Sequence, residues 1–146
     1  MTAETANPLT TETNIEEIVE NFQMLDDWDD RYGYLIELGR ALKPMPEAAQ
    51  NDANKVNGCV SQVWVTPVPG EDGAVGFRGA SDAHIVSGLV AIALTLFSGR
   101  TPADIVATDE QEVFQSIGLA EHLTPQRSNG LRAMVSRIKT LAQAAA

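Results

Sequence analysis

The chain has 146 residues, enough to bury a core in one domain without a disulfide or a structural metal. Its formal net charge is −10, and after Glu121 it contains basic side chains but no acidic ones. This balance disfavours a nucleic-acid partner, because phosphate binding needs clustered cations. The single cysteine cannot form an internal disulfide, which fits a reducing compartment.

The N-terminal region indicates where the protein works and where its domain begins. From Met1 to Asn14 the chain has neither the basic start nor the apolar stretch of a signal peptide. The longest apolar run, Ile85–Phe97, is interrupted by polar residues and is too short to span a bilayer. We therefore expect a cytoplasmic protein with no membrane partner. Residues 1–13 are polar and lack periodicity, which predicts a flexible tail ahead of one domain over residues 14–146.

Two helices are predicted after this tail. Asn14 and Glu17 have the spacing of a capping box, which predicts a helix that begins there and runs for about three turns. Asp26 or Asp27 can cap a second helix, which is predicted to end near Gly39.

An antiparallel hairpin is predicted in the middle of the chain. The polar segment Ala48–Asn57 is interpreted as a loop. The β-branched and aromatic residues of Cys59–Thr66 predict a strand, turn residues follow, and Ala74–Arg78 is the returning strand. A third strand is not visible in the pattern.

The C-terminal half predicts helices only. The run Ile85–Phe97 is apolar nearly all round, so its helix should form the buried centre. Ser81 is predicted as the N-cap of this helix, and the Asp82 carboxylate suits its positive end. Two short helices and a final helix with apolar residues spaced by threes and fours complete the chain. The sum is an α+β fold, with helices on one face of a small antiparallel sheet.

Cys59 is the first candidate for chemistry. A lone cysteine is more often a small buried apolar side chain than a nucleophile. Here it follows the turn pair Asn57-Gly58 and precedes a strand, which predicts a position on a loop with room for another molecule to approach. A free thiol titrates near pH ~8.5, so a nucleophilic cysteine needs a nearby cation. Lys55 is the only local one.

The two histidines leave other chemistries open. Metal binding is disfavoured, because zinc or an iron–sulfur cluster takes about four ligands that this chain cannot supply. His84 and His122 are each interpreted as structural. The residues alone still allow a cysteine hydrolase in which either histidine activates Cys59, or a binding module whose cysteine is structural. Neither a Walker loop nor a dinucleotide-binding glycine pattern is present, so no cofactor is expected.

Four sequence blocks resemble one family. Val56–Trp64 resembles the signature of the SufE family, sulfur acceptors that work with cysteine desulfurases. Three further blocks match in the same order and with similar spacing: Trp28–Gly39, Gly79–Leu89 and His122–Leu131. The resemblance covers the chain from about Asn14 to Lys139.

The resemblance implies a specific function. Cys59 would take a sulfur atom from the persulfide of a pyridoxal-phosphate-dependent cysteine desulfurase, stimulate that enzyme, and pass the sulfur to a scaffold for iron–sulfur cluster assembly. The protein would then be an accessory sulfur-transfer protein with a persulfide intermediate, rather than an enzyme with a substrate pocket of its own. The paralogue CsdE shares these motifs, so a desulfurase of SufS type or of CsdA type remains open, as does the hydrolase alternative.

The resemblance also implies a fold and a second site residue. The fold would be similar to that of the scaffold protein IscU, with a three-stranded antiparallel sheet and helices on one side. Arg127, just before the final helix, matches a family arginine near the cysteine loop. It is the candidate to stabilise the thiolate or the loop, and its alternative role is to cap or pair within the fold.

Overall fold

A computed structural model describes residues 7–58, 61–70, 72–119 and 123–145. The helices and strands, in chain order, are α1 (Ile15–Met24), α2 (Trp28–Arg40), a 3-10 turn (Glu47–Ala49), β1 (Val63–Pro69), β2 (Val75–Ser81), α3 (His84–Phe97), α4 (Pro102–Ala107), α5 (Glu110–Ser116) and α6 (Pro125–Ala145). The α+β class predicted from the sequence is confirmed.

The first two helices begin at the predicted caps. The Asn14 side-chain oxygen accepts a hydrogen bond from the Glu17 amide at 2.9 Å. The Asp27 carboxylate accepts one from the Asp29 amide at 3.0 Å. Each cap satisfies one of the amide groups that a helix N-terminus leaves without an intrahelical partner. The fully buried Phe22 then attaches α1 to the core.

Helix α3 is the buried centre, as its sequence predicts. Every side chain from Leu89 to Leu94 has an exposed fraction of 0%. Helix α2 packs against α3 at backbone distance, because a Cβ atom added at Gly88 would collide with the carbonyl oxygen of Leu35. None of the described helices is both long and apolar enough to cross a membrane.

Strand β1 continues past its predicted end at Thr66 and finishes at Pro69. Its prolines are tolerated for a geometric reason. The amide of Val65 donates to the carbonyl of Asn54, on the edge away from β2, and alternate residues of a strand point their amides the same way. Pro67 and Pro69 therefore lack an N–H only on that outer edge, and no hydrogen bond with β2 is lost.

The three-stranded sheet implied by the resemblance is not confirmed, because the described residues form a sheet of two strands. In place of a third strand, Lys55 makes a single antiparallel bridge with Trp64. Pairing stops there because the Asn54 amide turns back to the Asn51 carbonyl at 3.1 Å. The prolines of β1 also offer no amide to a longer partner strand.

The flexible tail predicted for residues 1–13 does not extend through Leu9. Leu9 is only 1% exposed and bridges to Leu42, and the Thr10 amide donates to the Ala41 carbonyl at 2.6 Å. A single apolar residue among polar neighbours has no periodicity, so the sequence pattern could not reveal this contact. Residues 1–6 lie outside the described part of the chain.

Candidate functional site

Cys59, the principal candidate, lies outside the described residues, as does His122. Gly58, the residue before Cys59, and Ser61, two residues after it, are described. Gly58 has a φ of +96°, a conformation that favours glycine. A Cβ atom at Gly58 would also lie 3.3 Å from the Cβ atom of Ala133 on α6. Glycine thus lets the chain turn while it lies directly against α6.

A short hairpin carries this turn. The Val56 amide donates to the Val63 carbonyl at 2.8 Å, and the Val65 amide donates to the Asn54 carbonyl at 2.9 Å. The positions between the two stems, 57–62, include Cys59 in the sequence. We call residues 54–65 the cysteine hairpin.

Asp82 holds the returning end of the hairpin, a role that the sequence analysis missed. Its carboxylate accepts a hydrogen bond from the Gln62 amide at 3.1 Å, and its own amide donates to the Gln62 carbonyl at 3.3 Å. The prediction of Ser81 as the N-cap of α3 is wrong. Ser81 still belongs to β2, and the N-cap of α3 is Ala83, which has no side-chain acceptor.

Arg137 of α6 holds the base of the hairpin. Its Nε donates to the Val65 carbonyl at 3.0 Å, and one terminal nitrogen donates to the Ala53 carbonyl at 3.0 Å. Burial lowers the pKa of Arg137 from its ordinary value, because a charged group loses hydration there. The sequence offered no signal for this residue, since an arginine in a terminal helix resembles any solvated cation.

A cavity of about 590 Å³ lies beside the returning end of the hairpin. Its floor is apolar, and its polar lining comes from the hairpin and from the first turns of α3 and α6. The lining residues are Ile36, Ser61, Ala83, His84, Ile85, Val86, Leu89, Thr124, Gln126, Arg127, Gly130 and Met134. Arg127 and His84, distant in the sequence, therefore share one cavity with Ser61.

Two features give this cavity a positive character. Helix α6 begins at Pro125, so Arg127 lies in its first turn. The sequence analysis placed Arg127 just before this helix. The Arg127 amide donates to the Thr124 hydroxyl at 3.3 Å, and Arg127 lines the cavity. The first turn of α3, which has no side-chain cap, also lines it. A cation and the positive end of a helix both favour an anion such as a thiolate.

The remaining candidates gain less support. His84 lines the cavity, yet no described side chain hydrogen-bonds or pairs with its imidazole, whereas a catalytic base is normally oriented by a third group. Lys55, the cation nearest to Cys59 in the sequence, lies in the hairpin stem and not in the cavity lining. Within the described ranges, no group of three or more His, Cys, Asp or Glu side chains is placed to hold a metal ion.

A second cavity, of about 540 Å³, lies between α5 and α6. The Lys139 ammonium forms an ion pair there with the Glu110 carboxylate at 2.8 Å and donates to the Thr108 carbonyl at 3.1 Å. Of the predicted site residues that the structure describes, neither Arg127 nor His84 lines this cavity.

The family model described as "SufE: Fe-S metabolism associated domain" matches residues 16–142. The chain belongs to the SufE family. An uncharacterized SufE-like protein of Rhizobium meliloti (strain 1021) is 52% identical over 134 residues, which are 90% of this chain and 96% of the relative. A SufE-like protein of Rhizobium etli is 52% identical over 129 residues, 86% of this chain and 87% of the relative. The family resemblance is confirmed, and it associates this SufE-family chain with iron–sulfur metabolism.

The fold has a counterpart among solved structures. The solution structure of a hypothetical protein from Thermus thermophilus matches with a TM-score of 0.72 and 22% sequence identity. The match covers 90% of this chain and 94% of that chain. At this identity the similarity shows the fold alone.

Proposed function

We propose that this SufE-family protein accepts sulfur on Cys59 from the persulfide of a pyridoxal-phosphate-dependent cysteine desulfurase, of SufS or CsdA type, in the cytoplasm. The Cys59 thiolate attacks the outer sulfur of the donor persulfide, and the sulfur–sulfur bond of the donor breaks. The donor cysteine leaves as a thiolate, so no external oxidant or reductant is needed. A thiolate of a scaffold that assembles iron–sulfur clusters then attacks the outer sulfur of the Cys59 persulfide, and Cys59 leaves as a thiolate.

The cavity beside the cysteine hairpin is the observation that supports this proposal most directly. The attacking species must be a thiolate, and an ordinary thiol is mostly protonated at neutral pH. Arg127 and the uncapped first turn of α3 line a cavity bordered by Ser61, two positions after Cys59. In this proposal, Arg127 stabilises the thiolate and the persulfide anion that replaces it.

The single cysteine favours a carrier over a scaffold. An iron–sulfur cluster is held by about four ligands, most often cysteines, and this chain contains one cysteine. A carrier needs only one thiol, which must be reachable by donor and acceptor in turn. The cysteine hydrolase alternative would need an oriented imidazole, and the described surroundings of His84 do not provide one.

The deciding experiment follows sulfur by mass. The protein is incubated with a cysteine desulfurase and free cysteine, and its intact mass is measured alongside the rate of the desulfurase. We expect the wild-type protein to gain the mass of sulfur on Cys59 and to accelerate the desulfurase. Cys59→Ser should do neither, while its free energy of unfolding changes by no more than about 0.5 kcal/mol.

A relocated thiol provides a matched control. The double variant Cys59→Ser with Ser61→Cys keeps one cysteine in the hairpin but moves it by two positions. We expect it to remain inactive if sulfur transfer depends on position 59. A wild-type protein that gains no sulfur, or a Cys59→Ser variant that still stimulates the desulfurase, would contradict the proposal, and an acyl adduct on Cys59 would favour a hydrolase.

A further inference from the structure

In the hydrogen-bond ladder of the cysteine hairpin, a side chain takes the place of a backbone donor at the Val65 carbonyl. In an antiparallel pair, two facing residues exchange both of their amide–carbonyl hydrogen bonds. The Val65 amide donates to the Asn54 carbonyl, so the Asn54 amide would be expected to return a bond to the Val65 carbonyl. Instead, the Asn54 amide donates to Asn51, and the Val65 carbonyl accepts from the Nε of Arg137 at 3.0 Å. Arg137 therefore donates to the Val65 carbonyl in place of the Asn54 amide.

The same guanidinium also holds the chain on the other side of the hairpin. Its terminal nitrogen donates to the carbonyl of Ala53, the residue just before the first stem, at 3.0 Å. One planar guanidinium thus connects the second stem, and the residue that precedes the first stem, to α6. Lysine cannot reproduce this geometry, because its ammonium is a point charge on a flexible chain rather than a rigid set of paired donors.

Helix α6 contacts the cavity and the cysteine hairpin at three points along its length. Arg127 in its first turn lines the cavity, Ala133 lies against Gly58, and Arg137 binds the base of the hairpin. Arg127 and Arg137 are separated by about 15 Å along the helix axis, at 1.5 Å per residue. The position of the hairpin relative to the Arg127 guanidinium is therefore set along one rigid element.

We propose that Arg137 is a positioning residue for sulfur transfer, which fixes the base of the cysteine hairpin against α6 and so determines how Cys59 is presented to the cavity and to the donor persulfide. This inference rests on the proposed function of Cys59. Without Arg137, the stems would remain joined by the Val56–Val63 and Val65–Asn54 hydrogen bonds, but the hairpin could pivot about them. A smaller fraction of molecules would then be competent, which weakens the apparent affinity for the donor by that fraction.

The test compares Arg137→Ala and Arg137→Lys with two matched controls on the same helix. Alanine is a good helix former, so Arg137→Ala removes the guanidinium without weakening α6 through propensity. Arg132→Ala removes a charge from the same helix, where the Arg132 guanidinium donates to the Asn129 side chain at 2.7 Å. Ile138→Val removes one methylene from a fully buried side chain and controls for a general loss of stability.

Three measurements distinguish positioning from simple stabilisation. For Arg137→Ala we expect the Val56 and Val65 amides to exchange hydrogen about tenfold faster and iodoacetamide to label Cys59 faster. The concentration of this protein that gives half-maximal stimulation of the desulfurase should rise at least about threefold, with the maximal rate largely retained. Arg137→Lys should lie between alanine and wild type. Both controls should match the wild-type protein in all three measurements.

The result that overturns the inference is specific. If Arg137→Ala matches Arg132→Ala and Ile138→Val in amide exchange rate, iodoacetamide labelling rate and half-maximal concentration, Arg137 does not position the site. The result for Cys59→Ser then still decides the proposed function. If the wild-type protein accepts no sulfur, the proposed function fails. The exchange and labelling rates then still show whether Arg137 holds the hairpin, and unchanged rates reject that role.

Discussion

The contact between α2 and α3 and the cysteine hairpin are held together in different ways. The helices meet at backbone distance, with Gly88 against Leu35 and Gly39 against Ser87. The hairpin is held by individual hydrogen bonds, among them those from Arg137 and those to Asp82. Close packing tolerates almost no added volume, whereas a single hydrogen bond contributes only about 0.5–1.5 kcal/mol.

This difference predicts that stability and the proposed sulfur transfer can be changed separately. Substitutions in the helix contact should affect the free energy of unfolding and leave the hairpin chemistry intact in the folded molecules that remain. Substitutions around the hairpin should alter Cys59 reactivity at little cost in stability. Segments held by few, partly exposed hydrogen bonds open locally without global unfolding.

Gly88→Ala should have the largest effect. The added Cβ atom would meet the Leu35 carbonyl, and neither backbone can move without separating α2 from α3. We expect a loss of about 3 kcal/mol or more, at the upper end of the range for overpacked cores. Urea denaturation followed by circular dichroism measures this change directly.

Gly33→Ala provides the matched control on α2. Apart from the adjacent backbone of α2, a Cβ atom at Gly33 would have no heavy atom within 4 Å, and the residue is exposed. Alanine should therefore stabilise the protein by about 0.5–1 kcal/mol through helix propensity. Equal effects of the two substitutions would mean that the helix contact is looser than the glycine geometry indicates.

The helical part of the fold was largely predictable from the sequence. Local signals that act within one turn, such as the caps at Asn14 and Asp27, were interpreted correctly, as was the buried run of α3. The close approach at Gly88 and the burial of Leu9 were not predictable, because both depend on which elements meet in the folded chain. The implied third strand failed for a related reason, since the Asn54 amide bonds to Asn51 instead.

Only those site residues that a sequence motif marks could be predicted. Arg127 was identified through the family resemblance, and the fold brings it to the cavity that Ser61 borders. Asp82 and Arg137 were missed because their backbone partners lie far away along the chain, at separations of 20 and 72 residues, where no local sequence pattern marks them. The role of Cys59 stays a prediction, since that residue lies outside the described part of the chain.

Arg127→Ala should produce the next largest effect, on chemistry rather than stability. If the guanidinium lies near the sulfur, it favours the thiolate, and its removal should raise the pKa of the Cys59 thiol by about 1. Arg127→Lys keeps the charge and should retain most of the wild-type behaviour. The rate of alkylation of Cys59 as a function of pH measures this change, and superimposable curves for alanine and wild type would remove Arg127 from the site.

Asp82→Ala should have a smaller and local effect. The variant loses the acceptor of the Gln62 amide, so this amide should exchange faster while the free energy of unfolding falls by about 1 kcal/mol at most. Asp82→Asn keeps a side-chain oxygen at the same place and should behave more like the wild-type protein. Cooperative loss of the whole fold in Asp82→Ala would show that the hairpin is not separable from the packed core.

Tyr34→Phe should produce the smallest effect. The pH range of this effect distinguishes the helix contact from the cysteine hairpin. Tyr34 lies on α2, with its ring centroid 5.0 Å from that of Phe22. Burial raises the pKa of Tyr34 above its usual value of 10.0, the nearby Glu17 and Glu37 carboxylates add to the rise, and the hydrogen bond from Asn21 opposes it.

The sign of the Tyr34 effect follows from proton binding. Above pH ~10 the phenol of the unfolded chain loses its proton while the folded protein retains it, so the unfolded state is favoured as pH rises. The contribution of Tyr34 is fully present below the unfolded pKa and is lost as pH rises through the folded pKa. Tyr34→Phe, compared with wild type from pH 7 upward by urea denaturation, should reduce the alkaline decline in stability. The pH profile of Cys59 alkylation should stay unchanged in the same variant, because an ordinary cysteine thiol titrates in a lower range, at pH ~8.5. An unchanged alkaline slope would exclude Tyr34 as its source, and a shifted Cys59 profile would show that the helix contact and the hairpin are coupled.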